Sequence, residues 1–367
     1  MTRRLKPSVA LVRLWLLACA WTVALDASAG PELPRYDAAD RLPMPLMSGA
    51  GALFRPFRYE PVLVSLADAT EPKRVEPSSA ASIAVVYPDL GEPYRSVFAQ
   101  IIEGIEDAAG APVRQYAIGP NVDPSELRAQ LKRNGVKVAI TLGRQGLKVM
   151  SGLDKDIAVV AGGVLSVPEA DSRNLLAISL TPDPALLFSR LKNLLPGMRR
   201  VIVIYNPQQN EWLIRLAREA AKVHGLELVT YEARDLSSAA RMYETAFAGI
   251  DGRRDAIWLP QDGTTVDEGA VLPMILKESW NRNVPVFSSS FLHVKKGVLF
   301  ALYPNNVEMG RTLANSAFGV LSGDPRKRGV LPLREVNTAV NVRTASHIGL
   351  NIGYQQQRSF DYIFPEP

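Results

Sequence analysis

The chain has 367 residues, of which 47% are hydrophobic and 22% are charged, and its formal net charge is +5 at pH 7. Four basic residues and one acidic residue lie within the first 29 positions, so residues 30–367 carry a formal net charge of +2. So small a charge does not favour a nucleic-acid partner. A single cysteine, Cys19, excludes sites built from several thiolates, such as zinc–thiolate centres and iron–sulfur clusters.

The N-terminus is typical of a secretory signal peptide. Basic residues at 3–6 precede an apolar run at 14–25 that carries no charge, and Ala-Ser-Ala at 27–29 is a small-residue cleavage signal. The run is shorter than the about 20 residues that span a membrane. We therefore predict a signal peptide at 1–29 and a periplasmic mature protein. The alternative is a lipoprotein anchored at Cys19, because residues 16–19 loosely match a lipoprotein cleavage box.

The next part of the chain divides into a lead-in and a first set of alternating strands and helices. Residues 30–80 are rich in Pro, Ala, Ser and Arg, with one strand-like segment at 59–66, and we interpret them as an extended lead-in. From Ser82 onward, continuous apolar strands alternate with amphipathic helices, which favours a parallel sheet covered on both faces. The predicted elements are strands at 83–87, 113–118, 138–142 and 157–161, and helices at 94–109, 124–134 and 145–151.

The pattern then repeats. The segment RRVIVIYNP at 199–207 echoes ASIAVVYP at 81–88, since each is a buried strand that runs into tyrosine and then proline. The later predicted elements are strands at 226–231, 256–259, 284–287, 298–302 and 338–342, and helices at 212–224, 239–250, 267–280 and 307–321. Two copies of one α/β unit predict two Rossmann-like parallel-sheet lobes with a cleft between facing strand ends.

A series of short motifs follows the second copy. It comprises Pro-Val-Phe at 285–287, Lys-Lys-Gly at 295–297, Glu-Met-Gly at 308–310 and Asn-Val-Arg-Thr-Ala at 341–345. In this order the motifs resemble those of ABC-transporter substrate-binding proteins of the type I periplasmic binding protein fold, in the family that includes tryptophan-binding proteins. The resemblance covers residues 82–353. It implies two lobes joined by a multi-crossing hinge, a small-molecule ligand and a membrane permease as partner.

The resemblance also suggests how the chain is divided. We expect the first lobe at 81–180, with a return helix near 306–322. The second lobe is expected at 181–304, with a C-terminal segment near 336–353, and residues 354–367 are interpreted as a tail. We expect a monomer.

Motifs of catalysis are missing from the sequence. No Gly-x-Gly-x-x-Gly follows a strand, and there is no Walker A sequence, Gly-x-Ser-x-Gly elbow or His-Glu-x-x-His. We interpret His224 and His347 as structural. His293 is near the presumed cleft but has no partner at metal-ligand spacing. The serines at 288–290 lack a partnered base and are interpreted as a hydrogen-bonding loop. We therefore predict no enzyme activity, cofactor or metal.

Polar and aromatic side chains just beyond strand ends are the candidate ligand-binding residues. Arg144, at the start of a short helix, favours an anion such as a carboxylate, or else is a surface arginine paired with an acid. Asp262 could hold a ligand ammonium, or else stabilise the turn at 262–264. The three tyrosines could form aromatic walls, although each belongs to an apolar strand. The full set is Tyr87, Thr141, Arg144, Tyr205, Asn206, Asp262, Thr264, Ser288, Ser289 and Tyr303.

These features predict an exported solute-binding protein that closes two lobes around a small polar ligand. The ligand is expected to carry a carboxylate and to resemble an amino acid, and the protein would deliver it to the permease of an ABC importer. The alternative is a periplasmic sensor subunit of the same fold, which signals to a membrane receptor such as a histidine kinase. A repressor of this fold would need a helix-turn-helix headpiece, and a signal peptide stands in its place.

Overall fold

The structure is a computed structural model, which describes residues 80–151, 156–167, 175–323 and 328–366. The predicted signal peptide and the lead-in as far as residue 79, with its strand-like segment, lie outside the described residues. Within those ranges, no helix is long and apolar enough to span a bilayer.

The described residues form two α/β lobes. The elements from residue 80 to the middle of the chain are β1 (Ile83–Pro88), α1 (Tyr94–Ala109), β2 (Arg114–Ile118), α2 (Pro124–Arg133), β3 (Val138–Leu142), α3 (Gly143–Ser151), β4 (Ala158–Val164), β5 (Leu176–Pro182) and α4 (Pro184–Leu194). The next are β6 (Arg200–Tyr205), α5 (Pro207–Val223), β7 (Glu227–Glu232), α6 (Leu236–Ala248), β8 (Asp255–Leu259), α7 (Val271–Arg282), β9 (Val286–Ser288), α8 (Phe291–Lys296) and β10 (Phe300–Pro304). The last are α9 (Asn306–Leu321), β11 (Gly329–Leu333), β12 (Val336–Asn341), α10 (Val342–His347), α11 (Tyr354–Gln357) and β13 (Tyr362–Phe364).

The sheet of the first lobe is parallel throughout, with strand order β11-β5-β4-β3-β1-β2. Its central strands are apolar on both faces because helices cover both faces. In β1, Ile83 and Val85 pack with residues of α1 and α9, whereas Ala84 and Val86 pack with residues of α2 and α3. Successive side chains of a strand point to opposite faces, so an uninterrupted apolar strand needs this double cover.

The sheet of the second lobe has strand order β13-β12-β10-β9-β8-β6-β7. Its neighbours are parallel except β10 and β12, which are antiparallel. The order β9-β8-β6-β7 repeats the order β4-β3-β1-β2 of the first lobe, as the two similar segments at 81–88 and 199–207 predict. The predicted α/β fold with two mainly parallel sheets is confirmed.

The chain passes between the lobes three times within the described residues. It leaves the first sheet after β5, leaves the second sheet after β10, and returns from β11 to β12. Hydrogen bonds join the crossings: Asp183 N donates to Leu333 O at 2.8 Å, Arg334 Nη1 bonds Asp183 Oδ2 at 3.3 Å, and Asn305 N donates to Glu335 O at 3.0 Å. The three connections therefore form one bonded hinge.

The return helix α9 packs on α1 through two glycines. A Cβ atom at Gly104 would lie 1.9 Å from Val307 O, and one at Gly310 would lie 2.0 Å from Ile101 O. Each glycine therefore faces the backbone of the other helix, and no larger residue fits. Helix α9 starts directly after the second crossing, and this close contact fixes it to the first lobe.

Several elements differ from the sequence-based expectation. Helix α5 begins at Pro207, five residues before its predicted start, because Asn206 caps it by accepting from Gln208 N at 3.0 Å and proline suits the first helical position. The segment between β9 and β10, for which no helix was predicted, contains α8. Strand β5 and helix α4 were not predicted. The segment at 354–367, interpreted as a tail, contributes β13, which pairs with β12 and buries Phe364.

Candidate functional site

A cavity of about 330 Å³ lies where the strands β8 and β9 of the second lobe end. It includes Leu165, the residue that follows β4 of the first lobe. Its other lining residues come from the second lobe: Pro260, Gln261, Asp262, Gly263, Val266, Asp267, Glu268, Ser290 and His293. Carboxyl ends of parallel strands are where ligands bind in such sheets. Because both lobes contribute to this cavity, its shape depends on how the lobes close.

A larger groove of about 590 Å³ lies at the opposite end of the second sheet. It is lined by Trp280, which is 42% exposed, and by Lys295, Arg343 and His347, among others. The ring of His347 stacks on that of Trp280 with centroids 3.5 Å apart. All of its residues come from the C-terminal part of the chain and none from the first-lobe strand ends. The smaller cavity is therefore the candidate site for a solute held between lobes.

Asp262 organises the loop that follows β8. It is 2% exposed, and Oδ2 accepts from Asn206 N and Asn210 Nδ2, each at 2.9 Å. Its Oδ1 accepts from Thr264 N at 2.9 Å and from Thr264 Oγ1 at 2.6 Å. Thr264 Oγ1 in turn accepts from Asn206 Nδ2 at 3.1 Å. Four protein donors thus use the lone pairs of this carboxylate. The geometry favours the turn-stabilising alternative for Asp262 over direct contact with a ligand ammonium.

Tyr205 lies within the core of the second lobe and not on the cavity wall. It is 1% exposed, and its hydroxyl donates to Glu211 Oε2 at 2.8 Å. Burial first, and then this hydrogen bond, raise the pKa of Tyr205 to about 12. Tyr205 belongs to the predicted ligand-binding set, but here it packs in the core, which is the alternative that its apolar strand left open.

The other two tyrosines are half-buried. The ring of Tyr303 lies 5.0 Å from that of Phe291, and burial raises the pKa of the Tyr303 hydroxyl. The ring of Tyr87 lies 6.1 Å from that of Phe98 in α1. Neither tyrosine lines the described cavity.

The serines at the end of β9 are paired, contrary to the expectation that they lack a base. Ser288 Oγ lies 2.7 Å from His293 Nδ1, and it accepts from Ser290 N at 3.1 Å. Trp258 Nε1 donates to Ser289 Oγ at 3.4 Å. Ser288 is 0% exposed, so its hydroxyl is not reachable by a substrate. The pair is a buried hydrogen bond that orients the imidazole.

Two other predicted first-lobe residues, Thr141 and Arg144, lie at the end of β3 and the start of α3. Thr141 is fully buried on the sheet face covered by α2 and α3, and its Oγ1 has no hydrogen-bond partner among the described residues. Arg144 is exposed in the first turn of α3. In the described part of the chain it makes no hydrogen bond or ion pair, so its guanidinium is available to an anion.

Two acidic side chains, Asp267 and Glu268, line the cavity, and Glu268 lies next to His293. Glu268 Oε2 pairs with Lys296 Nζ at 2.8 Å, and Glu268 Oε1 lies 3.9 Å from His293 Nε2. Asp267 Oδ1 accepts from Gly269 N and Ala270 N at 3.0 and 2.6 Å. The described residues contain no group of three or more metal-ligating side chains. His293 and Gln261, which the predicted set omits, are cavity residues, and only the fold of α8 brings His293 there.

Comparison with known proteins agrees with this architecture. Residues 187–355 match the family model described as ABC transporter substrate binding protein. The fold is similar to that of an ABC domain in complex with L-Trp from Streptococcus pneumoniae, with 17% identity, 77% of this chain and 99% of that chain covered, and a TM-score of 0.50. It is also similar to the ligand-free, open structure of a substrate-binding protein with adhesive properties from Clostridium difficile, with 15% identity, coverage of 77% and 98%, and a TM-score of 0.56. No curated protein matches the sequence. The resemblance and the fold of type I periplasmic binding proteins are confirmed.

Proposed function

We propose that this chain, which has the type I periplasmic binding protein fold, is an exported solute-binding protein of an ABC importer. It closes its two lobes around a small polar solute and delivers that solute to the membrane permease. One observation carries the proposal: the cavity at the strand ends of the second lobe includes a residue of the first lobe. Such a cavity changes shape with lobe closure, so a solute that contacts both walls favours the closed form.

The proposed chemistry is equilibrium binding and not catalysis. The matching family is one of substrate-binding proteins. The buried Ser288–His293 pair resembles part of a hydrolytic triad, but the serine is inaccessible and its hydroxyl is engaged by protein groups. Proteins of this family are typically extracytoplasmic, which fits the signal-peptide pattern at 1–29. In this proposal the mature protein acts as a periplasmic monomer.

The proposed solute carries a carboxylate that binds near Arg144, with the rest of the molecule directed into the second-lobe cavity. A guanidinium at the first turn of a helix suits a carboxylate, because it offers two parallel donors beside backbone amides. No other described group neutralises Arg144. Asp262, Asn206 and Thr264 then act by holding the cavity loop in place.

Arg144→Ala is expected to weaken solute binding by roughly ten- to a hundred-fold, because a hydrogen bond to a charged group contributes about 1.5–3 kcal/mol. The solute is first identified by mass spectrometry of small molecules released when protein purified from the periplasm is denatured. Calorimetric titration of that solute then compares wild type, Arg144→Ala and the control Arg133→Ala, which alters an exposed arginine at the end of α2. Wild-type affinity in Arg144→Ala would show that this arginine does not hold the solute.

A further inference from the structure

His293 is a buried histidine that lines the cavity. It lies in α8, is 5% exposed, and holds its Nδ1 atom 2.7 Å from Ser288 Oγ. Its Nε2 atom lies on the side of Glu268, 3.9 Å from Oε1, which is beyond hydrogen-bond distance. One ring nitrogen is therefore bonded to the protein, and the other is left for a group in the cavity.

The imidazole is neutral at pH 7. Burial lowers the pKa of His293, and the charge of Lys296 acts in the same direction, while Glu268 opposes them. Because the net direction is downward from the ordinary value of 6.5, the proton is lost below neutral pH. A neutral imidazole has one donor and one acceptor, so the position of its proton decides what it offers to a solute.

The hydrogen bonds of Ser288 place that proton on Nε2. The hydroxyl proton of Ser288 can reach either His293 Nδ1 at 2.7 Å or Leu259 O at 3.3 Å. The contact to Nδ1 is shorter by 0.6 Å and is therefore the better bond. The carboxylate of Glu268 beside Nε2 also favours a proton there. Nδ1 therefore accepts from Ser288, and Nε2–H is a donor held in a fixed orientation.

Two carboxylates line the same cavity. The carboxylates of Glu268 and Asp267 disfavour a further carboxylate there, so the solute group that meets Nε2–H is neutral.

We infer that this cavity selects a solute whose inward end is a neutral group that accepts a hydrogen bond, such as a carboxamide or hydroxyl, with His293 Nε2–H as the donor. The inference rests on the proposed function, since it names the solute group that enters the second-lobe cavity. His293 is then the specificity-determining residue, and Ser288 is the positioning residue that fixes the imidazole.

The protonation state is tested first, on the free full-length protein. Long-range ¹H–¹⁵N spectra of ¹⁵N-labelled protein at pH 7 resolve the three histidines, with His224→Gln and His347→Gln as assignment variants. His293 is expected as the Nε2–H tautomer, and Ser288→Ala is expected to yield a mixture of tautomers. An Nδ1–H tautomer or an imidazolium at pH 7 in the wild type would overturn the inference without reference to any solute.

Selectivity is tested by calorimetry with two pairs of probes, L-glutamine against L-glutamate and L-threonine against L-valine. Wild type is expected to bind L-glutamine about tenfold more tightly than L-glutamate, and L-threonine about tenfold more tightly than L-valine. His293→Ala is expected to lose most of that preference, and the control His347→Ala is expected to keep it. Binding without preference overturns the inference alone. If wild type binds none of the four probes, the amino-acid-like solute of the proposed function is wrong and the selectivity inference falls with it.

Discussion

Asp262→Ala is expected to lower the free energy of unfolding by about 3 kcal/mol and to abolish solute binding. The substitution leaves Asn206 N and Asn210 Nδ2 buried without an acceptor, and each such loss costs about 1–3 kcal/mol. It also releases the turn held by Thr264, which shapes one wall of the cavity. Urea denaturation followed by fluorescence measures the stability change, and calorimetry measures the binding.

Two variants separate this effect from a general loss of charge. Asp262→Asn keeps one side-chain oxygen and is expected to be milder than Asp262→Ala. Asp156→Ala removes a carboxylate whose ion pair with Lys132 is exposed, and such pairs contribute about 0–1 kcal/mol. If Asp262→Ala is no less stable than Asp156→Ala, then the four hydrogen bonds do not stabilise the second lobe as described.

Gly310→Ala is expected to lower the free energy of unfolding by about 2 kcal/mol. Alanine is the better helix former by about 1 kcal/mol, so helix propensity alone predicts stabilisation. The new Cβ, however, would lie 2.0 Å from the backbone oxygen of Ile101. Because this oxygen belongs to the main chain of α1, it cannot move aside as the end of a flexible side chain could. Separating α9 from α1 costs about 3 kcal/mol, as overpacking of a close contact does. Urea denaturation of the purified variant measures the net change.

Gly91→Ala is the matched control, because no atom of the described residues lies within 4 Å of the Cβ it would add. Its stability is expected to stay close to that of wild type. The same destabilisation is expected for Gly104→Ala, the partner glycine in α1, whose Cβ would meet Val307 O. An increase in stability in Gly310→Ala would show that the two helices can separate at little cost and that α9 is not fixed to the first lobe in this way.

The parallel lobes could be predicted from sequence because their strands are continuous apolar runs. All five residues of β3 are buried, so this run has no polar face. It therefore does not show the apolar stripe of an amphipathic helix. The repeat at Tyr87 and Tyr205 also placed equivalent strands at equivalent positions of the two sheets. The three-residue strand β13 could not be predicted, because so short a segment has no periodicity and is defined only by its pairing with β12.

The candidate site was harder to predict because its hydrogen bonds connect distant parts of the chain. Asp262 bonds residues more than 50 positions away, so its carboxylate could be read equally as a ligand group or as a turn residue. The bond between Ser288 and His293 depends on α8 folding back under β9, and a spacing of five residues does not indicate that contact. Tyr205 was ambiguous for a related reason, since a tyrosine at a strand end is either core or cavity wall.

Small-angle X-ray scattering most directly tests the proposal that a solute closes the two lobes. The full-length protein is measured free and at saturation with the solute released from the periplasmic preparation. Because the cavity includes residues of both lobes and the three crossings form a bonded hinge, the bound protein is expected to have a smaller radius of gyration than the free protein. Identical scattering curves with and without saturating solute would contradict lobe closure.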